Sequence, residues 1–147
     1  MYTSIFRKPL SVKNCSIKII FVCHGNAYRS PLAEALLKKL RPDLDVDSAG
    51  LHVAIPISSE VKDYLRKRNA VQYLKAAPQS LDEKKLRSYD VIVAMDKKVE
   101  NSILRKCLDC MKQTVTWNIR DPYFEEQNTE EIFSEIESKV KELVTLL

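Results

Sequence analysis

Apolar residues along this chain form two kinds of pattern, short continuous runs and longer stretches with helical spacing. Ile17–Val22 is a β-branched and aromatic run, which predicts a strand. Val91–Met95 is a continuous apolar run flanked by Asp90 and Asp96, which predicts a central strand covered on both faces. Pro31 opens a stretch in which leucines and alanines recur at helical spacing as far as Leu40, and Pro42 follows it. This pattern predicts a helix that begins near Pro31 and stops before Pro42.

The rest of the chain continues the alternation of strands and helices. Further strands are predicted at Leu44–Ser48 and Thr114–Trp117. Helical segments are predicted from Ser58 or Ser59 to about Arg68, at Leu81–Arg87, from after Asp96 to about Leu108, and from Asn128 or Thr129 to the C-terminus. Such alternation is typical of an α/β fold with a parallel sheet and right-handed crossovers. Because 147 residues can bury one substantial core, we expect a single domain.

Composition and charge argue against several classes of protein. The 24 basic and 20 acidic residues leave a net charge of only +4, which does not indicate nucleic acid as a partner. The densest basic cluster, Arg66–Arg68, is expected at a helix end, where cations meet the negative end of the helix dipole. No apolar run exceeds five residues, whereas a membrane-spanning helix needs about 18. Since Pro9, Ser11 and Lys13 also interrupt any secretion signal, we expect a soluble cytoplasmic protein without membrane attachment.

The four cysteines are Cys15, Cys23, Cys107 and Cys110. Without a secretion signal, all four are predicted to be reduced thiols. Cys107 and Cys110 form a single C-x2-C pair, and no second pair accompanies it, so no zinc site and no metal are predicted. The simplest interpretation of this pair is two small apolar side chains near a helix end.

The most informative segment lies between the first predicted strand and the first predicted helix. Five residues separate Cys23 from Arg29, and one of the two glycines of the chain, Gly25, lies among them. A loop this short must curl, so that successive backbone N–H groups point inward and the helix adds the positive end of its dipole. Arg29 offers a planar fork to phosphate oxygens. The Ser30 hydroxyl and these positive groups favour a nucleophilic thiolate at Cys23.

The stretch Val22–Glu34 resembles the signature of the low-molecular-weight protein tyrosine phosphatases. Three later segments resemble other blocks of that family in the same order: Asp47–Gly50, Tyr89–Asp96 and Asp121–Phe124. The likeness implies a single three-layer α/β domain, a doubly wound four-stranded parallel sheet in the order 2-1-3-4 with helices on both faces. It predicts a phosphatase-like domain at residues 17–147 after an N-terminal extension at 1–16. That extension could add an edge strand or trail in solvent, and its apolar Tyr2, Ile5 and Phe6 favour packing.

The resemblance also implies a role for each matching residue. Cys23 is expected to be the nucleophile, Arg29 the phosphate clamp and Asp121 the general acid. The expected phosphate-binding residues are His24, Gly25, Asn26, Ala27, Tyr28, Arg29 and Ser30. Asn26, Ser30 and Ser48 are expected to support the loop and the thiolate. Tyr123, with Phe124, is expected to form one wall of the substrate cleft, and His52 or Ile55 to replace an aromatic residue opposite.

The implied activity is a metal-independent and cofactor-independent hydrolysis of phosphotyrosine or aryl phosphate monoesters through a cysteinyl-phosphate. The Asp-Pro context of Asp121 favours an extended or turn conformation that can hold a carboxyl over the loop. This chain departs from the family at three places. Tyr28 stands where many members have a second cysteine, the loop after Gly50 is shorter, and Ala76 or Ala77 and Gln79 replace a His and an Arg before the third strand.

Two other functions remain open at this point. An arsenate reductase on the same fold uses a similar anion loop and further cysteines, but the distance from Met95 to Cys107 is long for such a relay. A non-catalytic phosphate-binding module would keep Arg29 and the loop amides, yet it would need neither Cys23 nor Asp121. The presence of both residues favours the enzyme.

Overall fold

The computed structural model describes residues 16–147, in which strands and helices alternate along the chain. The strands are β1 (Lys18–Cys23), β2 (Asp45–Gly50), β3 (Val91–Ala94) and β4 (Thr114–Thr116). The α-helices are α1 (Arg29–Leu40), α2 (Ser59–Arg66), α3 (Lys97–Lys106) and α4 (Thr129–Leu146). Short 3-10 turns lie at Val71–Tyr73, Leu81–Glu83, Leu86–Ser88, Leu108–Gln113 and Glu126–Asn128. The predicted packing of Tyr2, Ile5 and Phe6 lies outside the described residues.

The four strands form one parallel sheet in the order β2-β1-β3-β4. Strand β1 lies inside the sheet, and Ile20 is paired with Asp47 of β2 and Ile92 of β3. Its side chains point alternately to two separate apolar cores, with Phe21 in one and Val22 in the other. Both faces are therefore covered, which confirms the predicted doubly wound α/β fold and its strand order.

Helices α1, α2 and α4 cover one face of the sheet, and α3 covers the other with the 3-10 turns before β3. The predicted apolar stripe of α4 is buried and consists of Ile132, Ile136, Val140 and Leu143. At the end of α2, Arg66 lies in the last turn and Lys67 is the C-cap residue, as expected for a basic cluster at the negative end of a helix dipole. Arg68 lies beyond the helix, donates to the Glu137 carboxylate of α4 at 2.8 Å and stacks on the Tyr64 ring. Within residues 16–147, no helix is both long enough and apolar enough to cross a bilayer.

Two of the predicted helical segments are shorter or tighter than expected. The segment Leu81–Arg87 is divided into two 3-10 turns, because Lys84 between them has an extended backbone. Ser80 and Glu83 close the first turn with a capping box, so its backbone groups are satisfied within four residues. Helix α3 ends at Lys106 rather than near Leu108, and a 3-10 turn follows.

The prediction that all four cysteines are reduced is wrong for Cys107 and Cys110, which form a disulfide. The 3-10 turn after α3 brings their Cα atoms to 5.4 Å, a separation that a disulfide can span. Both residues are buried in the core on the α3 face, as expected for small apolar side chains. Cys23 is free and buried, and Cys15 lies outside the described residues.

Breaking the Cys107–Cys110 disulfide is expected to lower the stability of the protein moderately. Because the closed loop is only a few residues long, the chain-entropy model gives about 2 kcal/mol. This corresponds to a fall in the melting temperature of about 4–8 °C for a domain of this size. Thermal melts with and without dithiothreitol measure the difference.

The double variant Cys107→Ala/Cys110→Ala is the control, since its melting temperature should not respond to the reductant. A wild-type melting temperature that is the same in both buffers would contradict this prediction.

Candidate active site

Residues 24–28 form the loop that joins the carboxyl end of β1 to α1. The loop wraps around the Sγ atom of Cys23, which accepts a hydrogen bond from the Asn26 N–H at 3.2 Å and lies 2.9 Å from Ser30 Oγ. Helix α1 begins at Arg29, and its second residue, Ser30, is the one that contacts the sulfur, so the N-terminus of the helix lies beside it. The N-cap residue, Tyr28, caps no N–H group with its side chain, so the first helical N–H groups are available to an anion.

Asn26 holds the loop in its curled shape. Its φ of 54° lies in the left-handed region, which costs free energy in a residue other than glycine. Three hydrogen bonds of its side chain offset this cost. Oδ1 accepts from the Gln79 N–H at 2.9 Å, and Nδ2 donates to Ser30 Oγ at 2.7 Å and to Ser48 Oγ at 2.9 Å. A backbone N–H of Gln79 thus supports Asn26 where the family often has a His and an Arg.

Gly50 ends β2 directly beneath this loop. A Cβ atom on Gly50 would lie 2.7 Å from the Asn26 nitrogen and 2.7 Å from the Gly25 carbonyl carbon. Both are backbone atoms of the loop, so they cannot move aside without displacing the loop itself. The close approach of β2 therefore requires glycine at this position.

Replacing Gly50 by alanine is expected to displace the loop and to destabilise the protein by about 1–3 kcal/mol, as is usual for overpacking. The matched control is Gly25→Ala, because a Cβ at Gly25 meets only the His52 carbonyl oxygen at 3.7 Å. Thermal melts of the two variants give the comparison. Equal melting temperatures for both variants would show that the contact beneath the loop is not tight.

The Arg29 guanidinium is fixed from the opposite side of the cavity. The side chain is buried, and Nη1 donates to Asp96 Oδ2 at 2.8 Å and to the Ile119 carbonyl at 2.9 Å. Burial alone would raise the pKa of Asp96, but hydrogen bonds from Arg29 and the Val99 N–H outweigh it and lower that pKa below its usual value. Asp96 is therefore an anionic anchor that holds Arg29 toward the loop.

Asp121 lies on the segment after β4, at the edge of the cavity. Its Oδ1 accepts a hydrogen bond from the Tyr123 N–H at 3.1 Å. This bond closes a local turn, which orients the carboxyl group. Its Oδ2 lies 3.5 Å from Nη2 of Arg29. The carboxyl group is partly exposed, so it faces both the guanidinium and the open side of the cavity.

A cavity of about 210 Å³ opens above Cys23. It is lined by Cys23, His24, Gly25, Ala27, Tyr28, Arg29, His52, Ala54, Ile55, Asp121, Tyr123 and Phe124. Asn26, Ser30 and Ser48 are buried behind the loop rather than in the cavity wall. The structure therefore brings the sequence-predicted site residues together, as lining residues or as direct support of the loop.

The walls of the cavity are mostly apolar and aromatic. The Tyr123 and Phe124 rings pack edge to face at 5.0 Å and are largely exposed. Across the opening, the His24 and His52 rings lie 5.3 Å apart, and Ile55 also lines this part. Both residues considered as replacements for the missing aromatic, His52 and Ile55, thus line the cavity.

Three residues that contact the supports of the site were not predicted from the sequence: Glu34, Lys75 and Asp96. Asp96 holds Arg29. Glu34 accepts a hydrogen bond from Ser48 Oγ at 2.5 Å, and Lys75 donates to the Ser48 carbonyl at 2.6 Å.

Asp96 lies just after the carboxyl end of β3, separated from it by Met95. Because the carboxyl ends of neighbouring parallel strands meet at one edge of a sheet, this position could have indicated a residue close to Cys23. Lys75 lies in an irregular segment without periodicity, which gave no signal. Within residues 16–147, no group of three or more His, Cys, Asp or Glu side chains is arranged to hold a metal ion.

The arrangement can bind a tetrahedral oxyanion. Backbone N–H groups and the helix N-terminus surround the anion, and Arg29 neutralises its charge. A thiol lies on the floor of the cavity and a carboxyl group at its edge. These are the groups needed for nucleophilic attack and for proton transfer to a leaving group.

Comparison with known proteins gives a consistent set of matches. A model of the low molecular weight phosphotyrosine protein phosphatase family matches residues 18–147. The low molecular weight protein-tyrosine-phosphatase YfkJ of Bacillus subtilis is 28% identical over 148 residues, covering 87% of this chain and 94% of YfkJ. The low molecular weight protein-tyrosine-phosphatase Ptp of Acinetobacter johnsonii is 32% identical over 116 residues, covering 74% of this chain and 82% of Ptp.

Solved structures show the same fold. The crystal structure of YfkJ has a TM-score of 0.79 and 24% identity, over 91% of this chain and 96% of that chain. A crystal structure of arsenate reductase from Archaeoglobus fulgidus has a TM-score of 0.68 and 28% identity, over 86% of this chain and 98% of that chain. The region matched by the family model, 18–147, contains every residue that lines or supports the cavity.

Proposed function

Since the chain belongs to the low molecular weight phosphotyrosine protein phosphatase family and is a phosphatase, we propose that it hydrolyses aryl phosphate monoesters, phosphotyrosine among them, through a covalent intermediate on Cys23. The observation that carries this proposal is the position of the Cys23 sulfur. It lies on the floor of a cavity whose rim holds the Arg29 guanidinium and the Asp121 carboxyl group. No metal is required for this chemistry.

In the first step, the Cys23 thiolate attacks the phosphorus in line with the ester oxygen. An S–P bond forms and the P–O ester bond breaks, while protonated Asp121 gives its proton to the leaving oxygen. Arg29 and the loop N–H groups stabilise the charge on the three equatorial oxygens. The product of this step is a cysteinyl-phosphate and a free phenol.

In the second step, Asp121 accepts a proton from the water that attacks the phosphorus. A new P–O bond forms, the S–P bond breaks, and the sulfur leaves as a thiolate. The Asn26 N–H and the Ser30 hydroxyl lie at 3.2 Å and 2.9 Å from that sulfur, where they stabilise the returning negative charge. Inorganic phosphate is then released.

The walls of the cavity support an aryl substrate. An aromatic ring between the Tyr123 side and the His52 and Ile55 side would contact mainly apolar and aromatic atoms. The phosphoryl group would then reach the Cys23 sulfur.

The test measures the hydrolysis of p-nitrophenyl phosphate and of phosphotyrosine peptides without added metal. Phosphoserine peptides serve as the comparison, because they lack the aromatic ring. Absence of turnover on every aryl ester would refute the proposal.

An arsenate reductase is the second candidate, because a solved arsenate reductase is 28% identical to this chain. That reaction passes a disulfide from the nucleophile to a second cysteine near it. Cys23 lies at the carboxyl end of β1, whereas Cys107 and Cys110 follow α3, which returns to the amino end of the sheet. They are also bonded to each other. Among the described cysteines, none is therefore placed to relay from Cys23, and this favours the phosphatase.

The two activities are separated by one parallel assay. Arsenate with a dithiol reductant is incubated with the protein, and arsenite is measured beside phosphate release from p-nitrophenyl phosphate. Phosphate release without arsenite is the expected result. A non-catalytic phosphate-binding module would give neither product and would bind inorganic phosphate only.

A further inference from the structure

The two histidines of the chain, His24 and His52, lie side by side at the mouth of the cavity. We call them the histidine pair. Both side chains are exposed, and their ring centroids are 5.3 Å apart. The proposed reaction uses neither imidazole, although both line the cavity whose floor is the Cys23 sulfur.

The backbone holds the histidine pair in place. Cys23 and Gly50 are the last paired residues of β1 and β2, and two hydrogen bonds continue beyond them. The Leu51 N–H donates to the Cys23 carbonyl at 3.2 Å, and the His52 N–H donates to the His24 carbonyl at 2.8 Å. The two imidazoles therefore extend from neighbouring, hydrogen-bonded backbones. A ligand that binds both of them needs to order little of the chain.

The N–H groups of the histidine pair are available to a ligand. Among residues 16–147, neither imidazole has a side-chain hydrogen bond or an ion pair. Of the described residues that line the cavity, only Asp121 carries a carboxylate, and it lies 3.5 Å from Nη2 of Arg29. A neutral imidazole has one N–H donor, and a protonated one has two donors and a positive charge.

Outside the cavity, one carboxylate of this chain is affected by the histidine pair. Asp82 is exposed and lies in the 3-10 turn Leu81–Glu83. Its pKa is lowered mainly by Lys106, which pairs with it at 2.6 Å, and to a smaller extent by His52. His52 therefore stabilises negative charge on its side of the mouth. Lys106 already neutralises Asp82, so the histidine pair can still serve an anionic group of a ligand.

A carboxylate carried by the substrate is the partner that fits these donors. An imidazole N–H donates to a carboxylate, and the bond is stronger when the imidazole is protonated. If the phosphoryl group of a phosphotyrosine is at Cys23 and its ring lies between the cavity walls, the peptide chain lies at the mouth. The side chain of a neighbouring residue is then close to the exposed imidazoles.

We propose that the histidine pair determines substrate specificity by binding an acidic side chain next to the phosphotyrosine, a role that deepens the proposed function and rests on it. The preferred substrate is therefore a phosphotyrosine segment with a neighbouring aspartate or glutamate. The preference grows as the pH falls. An ordinary histidine gains its charge between about pH 8 and pH 5, whereas an ordinary glutamate stays ionised down to about pH 4.

The test compares phosphotyrosine peptides that differ only in having glutamate or glutamine beside the phosphotyrosine, on either side in turn. The readout is the acidic ratio, which is kcat/KM for the glutamate peptide divided by kcat/KM for the glutamine peptide. For the wild-type protein, the better-placed glutamate should give a ratio of about three to ten at about pH 5.5, the size expected for exposed charge pairs. The ratio should be smaller at about pH 7.5.

The double variant His24→Gln/His52→Gln should bring the acidic ratio close to one and remove its pH dependence, because glutamine gains no charge. Each single variant should keep part of the preference. The matched control is Lys112→Gln, which removes an exposed positive charge from the disulfide turn, away from the cavity lining. Its acidic ratio should equal that of the wild type. Melting curves show first that every variant is folded.

Other charged and titratable groups near the histidine pair are the same in the wild type and in the histidine variants. Asp82 also stays ionised over this pH range, because its pKa is lowered. A difference between the acidic ratios therefore reports the imidazoles. The unchanged groups are Cys23, Tyr28, Arg29, Asp121 and Tyr123 in the cavity, and Asp82 with Lys106 beside His52.

A wild-type protein that hydrolyses both peptides with an acidic ratio of one would overturn the proposal. A ratio that the double variant retains would overturn it as well. Binding of the same peptides to Cys23→Ser, measured by calorimetry, separates this role from the proposed function. If the wild type hydrolyses no aryl ester, but Cys23→Ser prefers the glutamate peptide and loses that preference with both histidines replaced, the proposed function is contradicted and the role of the histidine pair is supported.

Discussion

Replacing Cys23 by serine is expected to lower the kcat for p-nitrophenyl phosphate by at least about 10⁴-fold, as is found when a covalent nucleophile is removed. The serine hydroxyl stays protonated under conditions in which the cysteine forms a thiolate. It therefore attacks phosphorus very slowly, and the covalent intermediate does not form at a useful rate. Serine is close to cysteine in size and remains within reach of Ser30 and the Asn26 N–H, which lie around the sulfur. The cavity should therefore still bind inorganic phosphate.

The matched control for this variant is Cys15→Ser, which makes the same change in the segment before β1 and should retain activity. Phosphate binding by calorimetry shows that the Cys23→Ser loop is still formed. If turnover persists in a folded Cys23→Ser protein, the covalent mechanism is excluded, and a water molecule activated by Asp121 becomes the better explanation.

The fold could be predicted because its strongest signals are local. Ile19–Cys23 and Val91–Met95 are continuous apolar runs because β1 and β3 are inner strands whose two faces are both buried. Segments that satisfy their backbone groups within a few residues were harder to predict. The turn at Leu81–Glu83 is closed by a capping box and has no apolar repeat that distinguishes it from the start of a helix.

The candidate site could be predicted only in part, for a related reason. The spacing of Cys23 and Arg29 is a local pattern with a geometric meaning, so the loop was recognisable. The support of the loop is not local. Gln79 holds Asn26 through a backbone N–H, which any residue other than proline could offer, and Lys75 meets Glu34 across 41 positions of sequence (75 − 34). Such contacts depend on the folded path of the chain and leave no sequence pattern.

The Asp121→Asn variant tests the second half of the proposed chemistry. Asparagine has nearly the same shape and can still accept from the Tyr123 N–H, but it cannot donate an acidic proton to a leaving group. The kcat for phenyl phosphate is expected to fall about 10²–10⁴-fold, the usual contribution of general acid–base catalysis. For p-nitrophenyl phosphate the loss should be smaller, because p-nitrophenolate leaves without needing a proton.

The comparison between the two substrates makes this prediction specific. A variant that merely distorts the cavity would lower the kcat for both esters by the same factor. Loss of the general acid should instead lower the kcat for phenyl phosphate more than the kcat for p-nitrophenyl phosphate. Asp109→Asn is the matched control, since Asp109 is an exposed carboxylate that pairs with Arg87 beside the disulfide turn. It should leave both rates unchanged. Equal losses for the two esters in Asp121→Asn would mean that Asp121 orients Arg29, 3.5 Å away, instead of transferring the proton.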